Sequence, residues 1–461
     1  MRNSYFRRQP YRLLVAILFY PALCFSLSVS VPSEAAPLPV KRIIMDNGLV
    51  LLVLSQPSLP IVNIQVIIKA GAVYDPEDRA GLAYLTTNLL DEGTSRRTST
   101  EIADAIEFVG GSLGAGGGDD WATASLKILK SDLPLGLDLL SDILLHPVFP
   151  KEELERKRSQ ILGGLVAEKD EPGVVAEKAF NEIVFGSHPY HRPAEGTEES
   201  LPKISREDLV RFYEQYYRPN NTLMAVVGDI PESEARDLIG RYFGSWASRP
   251  IPEVPIPPAP QLEKRVVKLI EKDLTQANII LGHVGIDRKN PDYYAVAVMN
   301  YILGGGGFSS RLLTEIRDNQ GLAYSINSHF AAGAYPGSFT VSLQTQNPSA
   351  QRAIDGAITE IRKIRNQPVS EQELSEATAF LIGSFPLRID TTAKIANLLT
   401  QVEYFGLGLD YFEQYPKLIG AVTRADVQRV AQKYLDPNRI ALVVVTKQSE
   451  AKIQEKEKLE N

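Results

Sequence analysis

Two stretches of this chain repeat one pattern. "ISREDLVRFYEQYYRPNNTLMAVV" (204–227) and "VTRADVQRVAQKYLDPNRIALVVV" (422–445) align without a gap at a constant offset of 218. Arg206 meets Arg424, Asp208 meets Asp426, Tyr216 meets Tyr434, and Pro219-Asn220 meet Pro437-Asn438. Ser205 and Thr423 are expected helix N-caps, because a short side-chain oxygen accepts from the exposed amides of the first turn. A Pro-Asn turn and a β-branched strand follow. A helix–turn–strand unit that recurs at this distance is the mark of a duplicated domain.

A chain of 461 residues is too long for one core. "WASRPIPEVPIPPAPQLEK" (246–264) is expected to be the linker, since its prolines can continue neither helix nor sheet. This gives an N-terminal domain over 38–245 and a C-terminal domain over 265–450. Each opens with strands ("LVLLVLS", "IVNIQVIIKAG"; "RVVKLIEK", "ANIILGHVGI"). Each continues through helices and a strand pair, and closes with long helices and a last strand. Strands grouped in this way predict an α+β fold, with helices layered on one face of each sheet.

The first residues read differently. Arg2, Arg7, Arg8 and Arg12 precede an apolar run over 13–31, and Ser33 and Ala35 stand at the −3 and −1 positions of a cut before Ala36. This is the layout of a secretory signal, so residues 1–35 are expected to be removed and the chain to be exported to the periplasm without stable membrane insertion. An uncut run over 13–31 would instead serve as a membrane anchor. The sole cysteine, Cys24, lies in this leader, which leaves the mature chain without disulfide, thiolate nucleophile or Cys zinc ligand. A formal net charge of −7 implies no general affinity for nucleic acid.

"DNGLVLLV", "AGAVYDP", "GLA…GT", "HPYHRPAEGT" and "LGGGGFSSRLLTEIRDNQGLAYS" together resemble the M16 family, the pitrilysin, insulinase and mitochondrial-processing-peptidase group, over roughly 38–450. The resemblance implies the two-domain metallohydrolase (LuxS/MPP-like) fold. In that family a helix in the first half carries H-x-x-E-H, whose spacing puts two zinc-binding imidazoles and a general base on one face. Here those positions hold Tyr84, Thr87 and Asn88, and the distal glutamate position falls on Gly164. None of the four binds zinc well or takes a proton near neutral pH, so no metal or other cofactor is expected in this chain.

His188 and His191 of "HPYH", with Glu182 and Glu195 near in sequence, leave two readings: a metal pair or a scaffold turn. The internal proline favours the turn. His146, His283 and His329 are isolated. "GGGGFSS" (304–310) lacks the lysine of a phosphate loop and is expected to be a flexible, close-approach turn. The resemblance implies substrate contacts at Gly305 and Gly306 of that turn. It also implies substrate contacts at Gly114, Ala115 and Gly116, on an edge strand able to take up extended peptide, with a glycine-weakened edge as the plain structural alternative.

Arg317 and Tyr324 match the family's R/Y pair, whose donors stabilise the oxyanion at a scissile carbonyl. The combination implies a non-catalytic subunit that binds peptide or unfolded segments and pairs with an H-x-x-E-H-bearing homologue, which would hold the zinc. A structural or assembly scaffold and a peptide-binding protein without cleavage are the competing readings.

Overall fold

The computed structural model describes residues 38–454, so the leader and its cut lie outside the described residues. Two sheets carry the duplication. The first comprises β1 (Lys41–Ile44), β2 (Val50–Ser55), β3 (Ile61–Ile68), β4 (Ser112–Gly117), β5 (Ala122–Leu129) and β6 (Thr222–Gly228), in the order β1-β2-β6-β3-β5-β4. The second comprises β7 (Val266–Glu271), β8 (Gln276–Val284), β9 (Ser325–Ala332), β10 (Pro336–Gln346) and β11 (Ala441–Thr446), in the order β7-β11-β8-β10-β9.

Without β1 the two orders are the same. The parallel contacts also correspond, β2 with β6 and β7 with β11, while the remaining pairs are antiparallel. The repeat found in sequence is the last strand of each half and the helix before it. Ser205 caps Arg206–Tyr216 and Thr423 caps Arg424–Tyr434, each in a reciprocal box with the aspartate three residues on.

Each sheet has its own helices on one face. In the first half, Leu51, Val53, Val62, Ile64, Val66, Met224 and Val226 pack with Leu85, Leu140, Ile143 and Leu209. The opposite face is buried too, which refines the one-face expectation. Leu52, Leu54, Ala225 and Val227 point the other way and join the core of the second half. The helix Thr392–Phe405 of that half lies across β3 and β6. Asn63 on β3 donates to Thr392 Oγ1 at 2.7 Å.

The exchange is reciprocal. The helix Pro172–Phe185 of the first half covers the second sheet, where Ala176, Ala179, Phe180 and Val184 meet Ile280, Ala441, Val443 and Val445. A strand such as "ALVVVT" is buried at every position, and its unbroken apolar run is the local signature of a sheet covered on both faces.

No helix or strand occurs between Phe243 and Val266. The proline-rich segment there is nonetheless anchored, by Ile251 on the first core and by Ala259 and Leu262 on the cluster under Pro172–Phe185. Among the described residues no helix is long and apolar enough to cross a membrane.

Candidate functional site

Tyr84, Thr87 and Asn88, three of the four positions that the resemblance marks as degenerate metal positions, lie on the short helix Leu82–Thr87 and the residue after it. Its N-terminus is set by Asp75, whose carboxylate accepts from Gly81 N and Ala83 N, both at 2.8 Å. Burial pushes that carboxyl up to about 7 despite the two amides. The motif "AGAVYDP" contains this cap, but an acid seven residues ahead of a helix is no ordinary N-cap signal and sequence reasoning passed over it.

The helix uses its polar groups on itself. Thr87 Oγ1 donates to Ala83 O at 2.8 Å and lies 2.7 Å from the Tyr217 hydroxyl, which is fully buried. Asn88 Nδ2 donates to Tyr84 O at 2.8 Å. Gly164 sits in the neighbouring helix Lys151–Glu168, where a Cβ would meet nothing within 4 Å. A hydroxyl already bonded inside the core, a carboxamide on a backbone carbonyl, a phenol and a hydrogen do not fit a zinc ion or a general base. Among the described residues no group of three or more His, Asp or Glu is placed to hold a metal.

The edge strand β4 closes onto this helix. A Cβ on Gly117 would lie 2.8 Å from Tyr84 Cα, so only glycine admits the approach. Gly114, Ala115 and Gly116 pair with Ser125, Ala124 and Thr123 of β5 on one side only, since β4 ends the sheet. Their other edge has no strand partner.

"HPYH" folds into a turn joined to both halves. His188 Nδ1 accepts from Tyr190 N at 3.1 Å, and His191 Nδ1 lies 2.8 Å from His188 O. His188 is buried against Phe185, Tyr190 and Tyr335, and burial pushes it down to about 4. Glu182 is paired with Lys268 at 2.9 Å. The Tyr190 hydroxyl donates to Asp120, which also accepts from Ala334 N at 2.8 Å in the second half.

In the second half the glycine turn is more helical than expected. The helix Tyr293–Asn300 runs on through a π-helical turn, Tyr301–Gly305, before a single 3₁₀ turn, Gly307–Ser309. Gly307 takes φ +57° and reverses the chain there. Arg317 sits on a second π-helical segment, Leu313–Asn319, and Tyr324 immediately precedes β9. Such wide turns recur at functional sites, because they re-aim a side chain without ending the helix.

The fold brings Arg317 and Tyr324 together. The Arg317 guanidinium carbon lies 5.9 Å from the centre of the Tyr324 ring and 5.2 Å from that of Phe308. Tyr324 and Phe308 are 81% and 77% exposed, so both rings near the cation face solvent. The carboxylate nearest to Arg317 is that of Asp318, at 3.9 Å. Its fork of donors is therefore not consumed by a tight internal pair.

The chain matches two family descriptions in tandem, "Insulinase (Peptidase family M16)" over residues 50–198 and "Peptidase M16 inactive domain" over residues 203–381. An uncharacterized zinc protease of Mycobacterium leprae is 31% identical over 309 residues, 66% of this chain and 68% of its own length. One of Streptomyces coelicolor is 27% identical over 404 residues, 86% of this chain and 87% of its own. A crystal structure described as a peptidase M16 inactive domain from Pseudomonas fluorescens superposes with a TM-score of 0.84 at 28% identity, covering 89% of this chain and 98% of that one. A protease from Helicobacter pylori shares the fold, with a TM-score of 0.82 at 20% identity over 89% of this chain and 99% of its own. With the duplicated sheets already in view, these matches place the chain in the M16 peptidase family.

Proposed function

We propose that this chain is the non-catalytic partner subunit of an exported, heteromeric M16 zinc peptidase that acts on peptides or unfolded segments. The observation that carries the reading is the asymmetry between the halves. The metal positions hold Tyr84, Thr87, Asn88 and Gly164, whereas the second half presents Arg317 and Tyr324 side by side on exposed surface. A guanidinium beside a phenol is a pair of donors suited to a carbonyl oxygen that gains charge during attack. No step of hydrolysis is assigned to this chain's own degenerate centre. In this reading the zinc and the attacking water belong to an H-x-x-E-H-bearing homologue, and the free edge of β4 at Gly114, Ala115 and Gly116 takes up the peptide. The leader before Ala36 supports export.

The test is reconstitution with an H-x-x-E-H homologue encoded by the same genome. Losing one oxyanion donor costs ~10²–10³ in kcat. Arg317→Ala and Tyr324→Phe should each lower the heteromer's kcat by that order, with zinc content and co-elution unchanged. Arg317→Lys should restore little, because a point charge does not reproduce the planar fork. Full activity in both variants would make the pair structural and move the scaffold reading ahead.

A further inference from the structure

The geometry points to Phe308 as a specificity-determining residue, one that selects a bulky apolar side chain next to the peptide carbonyl bound by Arg317. The inference rests on the reading of Arg317 as a carbonyl donor.

Two constrained elements precede Phe308, the π-helical turn at Tyr301–Gly305 and Gly307 at φ +57°. Ser310 Oγ donates to Gly307 O at 2.7 Å, and Ser310 is fully buried. A phenyl ring held on a constrained turn and left 77% exposed has a cost, since burying it elsewhere would remove apolar area from water. Nothing in the second core needs it: Phe308 belongs to none of the buried clusters.

The ring has one neighbour of note, the Arg317 guanidinium at 5.2 Å. That is within cation–π range, and Tyr324 lies under the same cation at 5.9 Å. With the Asp318 carboxylate no nearer than 3.9 Å, the guanidinium N–H groups stay available to a peptide carbonyl. A carbonyl accepting from those groups would lie beside the Phe308 ring. In an extended peptide the flanking side chain projects within a few ångströms of that carbonyl. An apolar or aromatic side chain there gains contact area with Phe308, and glycine gains none.

A second exposed ring packs on the residue that opens the π-helical turn. Phe380, 55% exposed, packs on Tyr301 with ring centres 4.9 Å apart. Tyr301 in turn lines a groove of about 210 Å³ with Gly305, Phe330 and Leu381. The glycine turn thus carries exposed Phe308 and touches exposed Phe380 through Tyr301, and the carboxylate nearest to Arg317, that of Asp318, lies 3.9 Å away.

The experiment measures fluorescence anisotropy of labelled extended peptides with the purified chain, before any partner is added. The peptides share a Gly/Ser background and carry one central Phe, Leu, Gly or Asp. The Phe and Leu peptides should bind about 10-fold more tightly than the Gly peptide, the scale of discrimination that an apolar contact supplies. Phe308→Ala should erase that ranking and Phe308→Tyr should keep it. Arg317→Ala should weaken the Phe, Leu and Gly peptides alike.

Three outcomes overturn the inference. In the first, Phe308→Ala leaves the ranking intact. In the second, the Asp peptide binds best, so that Arg317 reads a side-chain carboxylate. In the third, Phe308→Ala abolishes co-elution with the H-x-x-E-H partner without changing peptide ranking, so that the ring belongs to the subunit interface. Failure of the underlying reading looks different: Arg317→Ala would then leave all four affinities unchanged.

Discussion

Thr87 spends its one polar group inside the core. Its hydroxyl bridges Ala83 O and the buried Tyr217 hydroxyl, so this side chain helps to hold the first half together. Thr87→Val keeps the shape and removes the oxygen. The Tyr217 hydroxyl would then be buried without a partner, at a cost of about 1–3 kcal/mol. The double variant Thr87→Val with Tyr217→Phe removes both polar groups and should recover most of the loss. Urea unfolding of the three proteins checks this, and a neutral Thr87→Val would mean that Tyr217 finds another acceptor. The helix that carries Tyr84 and Thr87 was legible in the sequence through the family resemblance. The partner Tyr217 was not, since it lies 130 residues away from Thr87.

At the scale of elements, the repeat helices and strands were legible because capping and alternation are local. Ser205 and Thr423 each announce a helix, and "ALVVVT" announces a buried strand. The π-helical turns around the glycines were not legible, since they arise from packing against β9 rather than from propensity. Nor was the tie that joins the hairpin before Trp121 to the hairpin at Ala334. Asp120 forms it, accepting from the Tyr190 hydroxyl and from Ala334 N. Asp120→Ala would leave both donors without their acceptor. A loss of about 1–3 kcal/mol per buried group follows if no water replaces the carboxylate. Tyr190→Phe should cost less, because the carboxylate keeps its bond from Ala334 N. Chemical denaturation gives the ranking, and equal stability of all three proteins would show that the tie contributes nothing.

Across the whole molecule, the exchange of helices binds the halves more firmly than the proline-rich segment does. Thr392–Phe405 completes the first sheet and Pro172–Phe185 completes the second. Neither half can bury both faces of its sheet alone. The duplication was legible at the fixed offset of 218, but the reciprocal covering was not, because no local pattern says which half a helix will pack against. Calorimetry of the intact chain should show one transition, with the two halves unfolding together. Residues 38–245 expressed alone should expose the face of Leu52, Leu54, Ala225 and Val227 and aggregate or bind a hydrophobic dye. Two well-separated transitions would instead mean that the exchanged helices are dispensable.

The division of labour between two subunits is tested most directly by titrating this chain into a fixed amount of the H-x-x-E-H homologue while peptide cleavage is followed. Expected are no cleavage by this chain alone, a low rate from the homologue alone, and a rate that climbs to a plateau at a fixed ratio of subunits. Cleavage by this chain alone at the rate of the mixture, or a homologue rate that does not change on its addition, would contradict it.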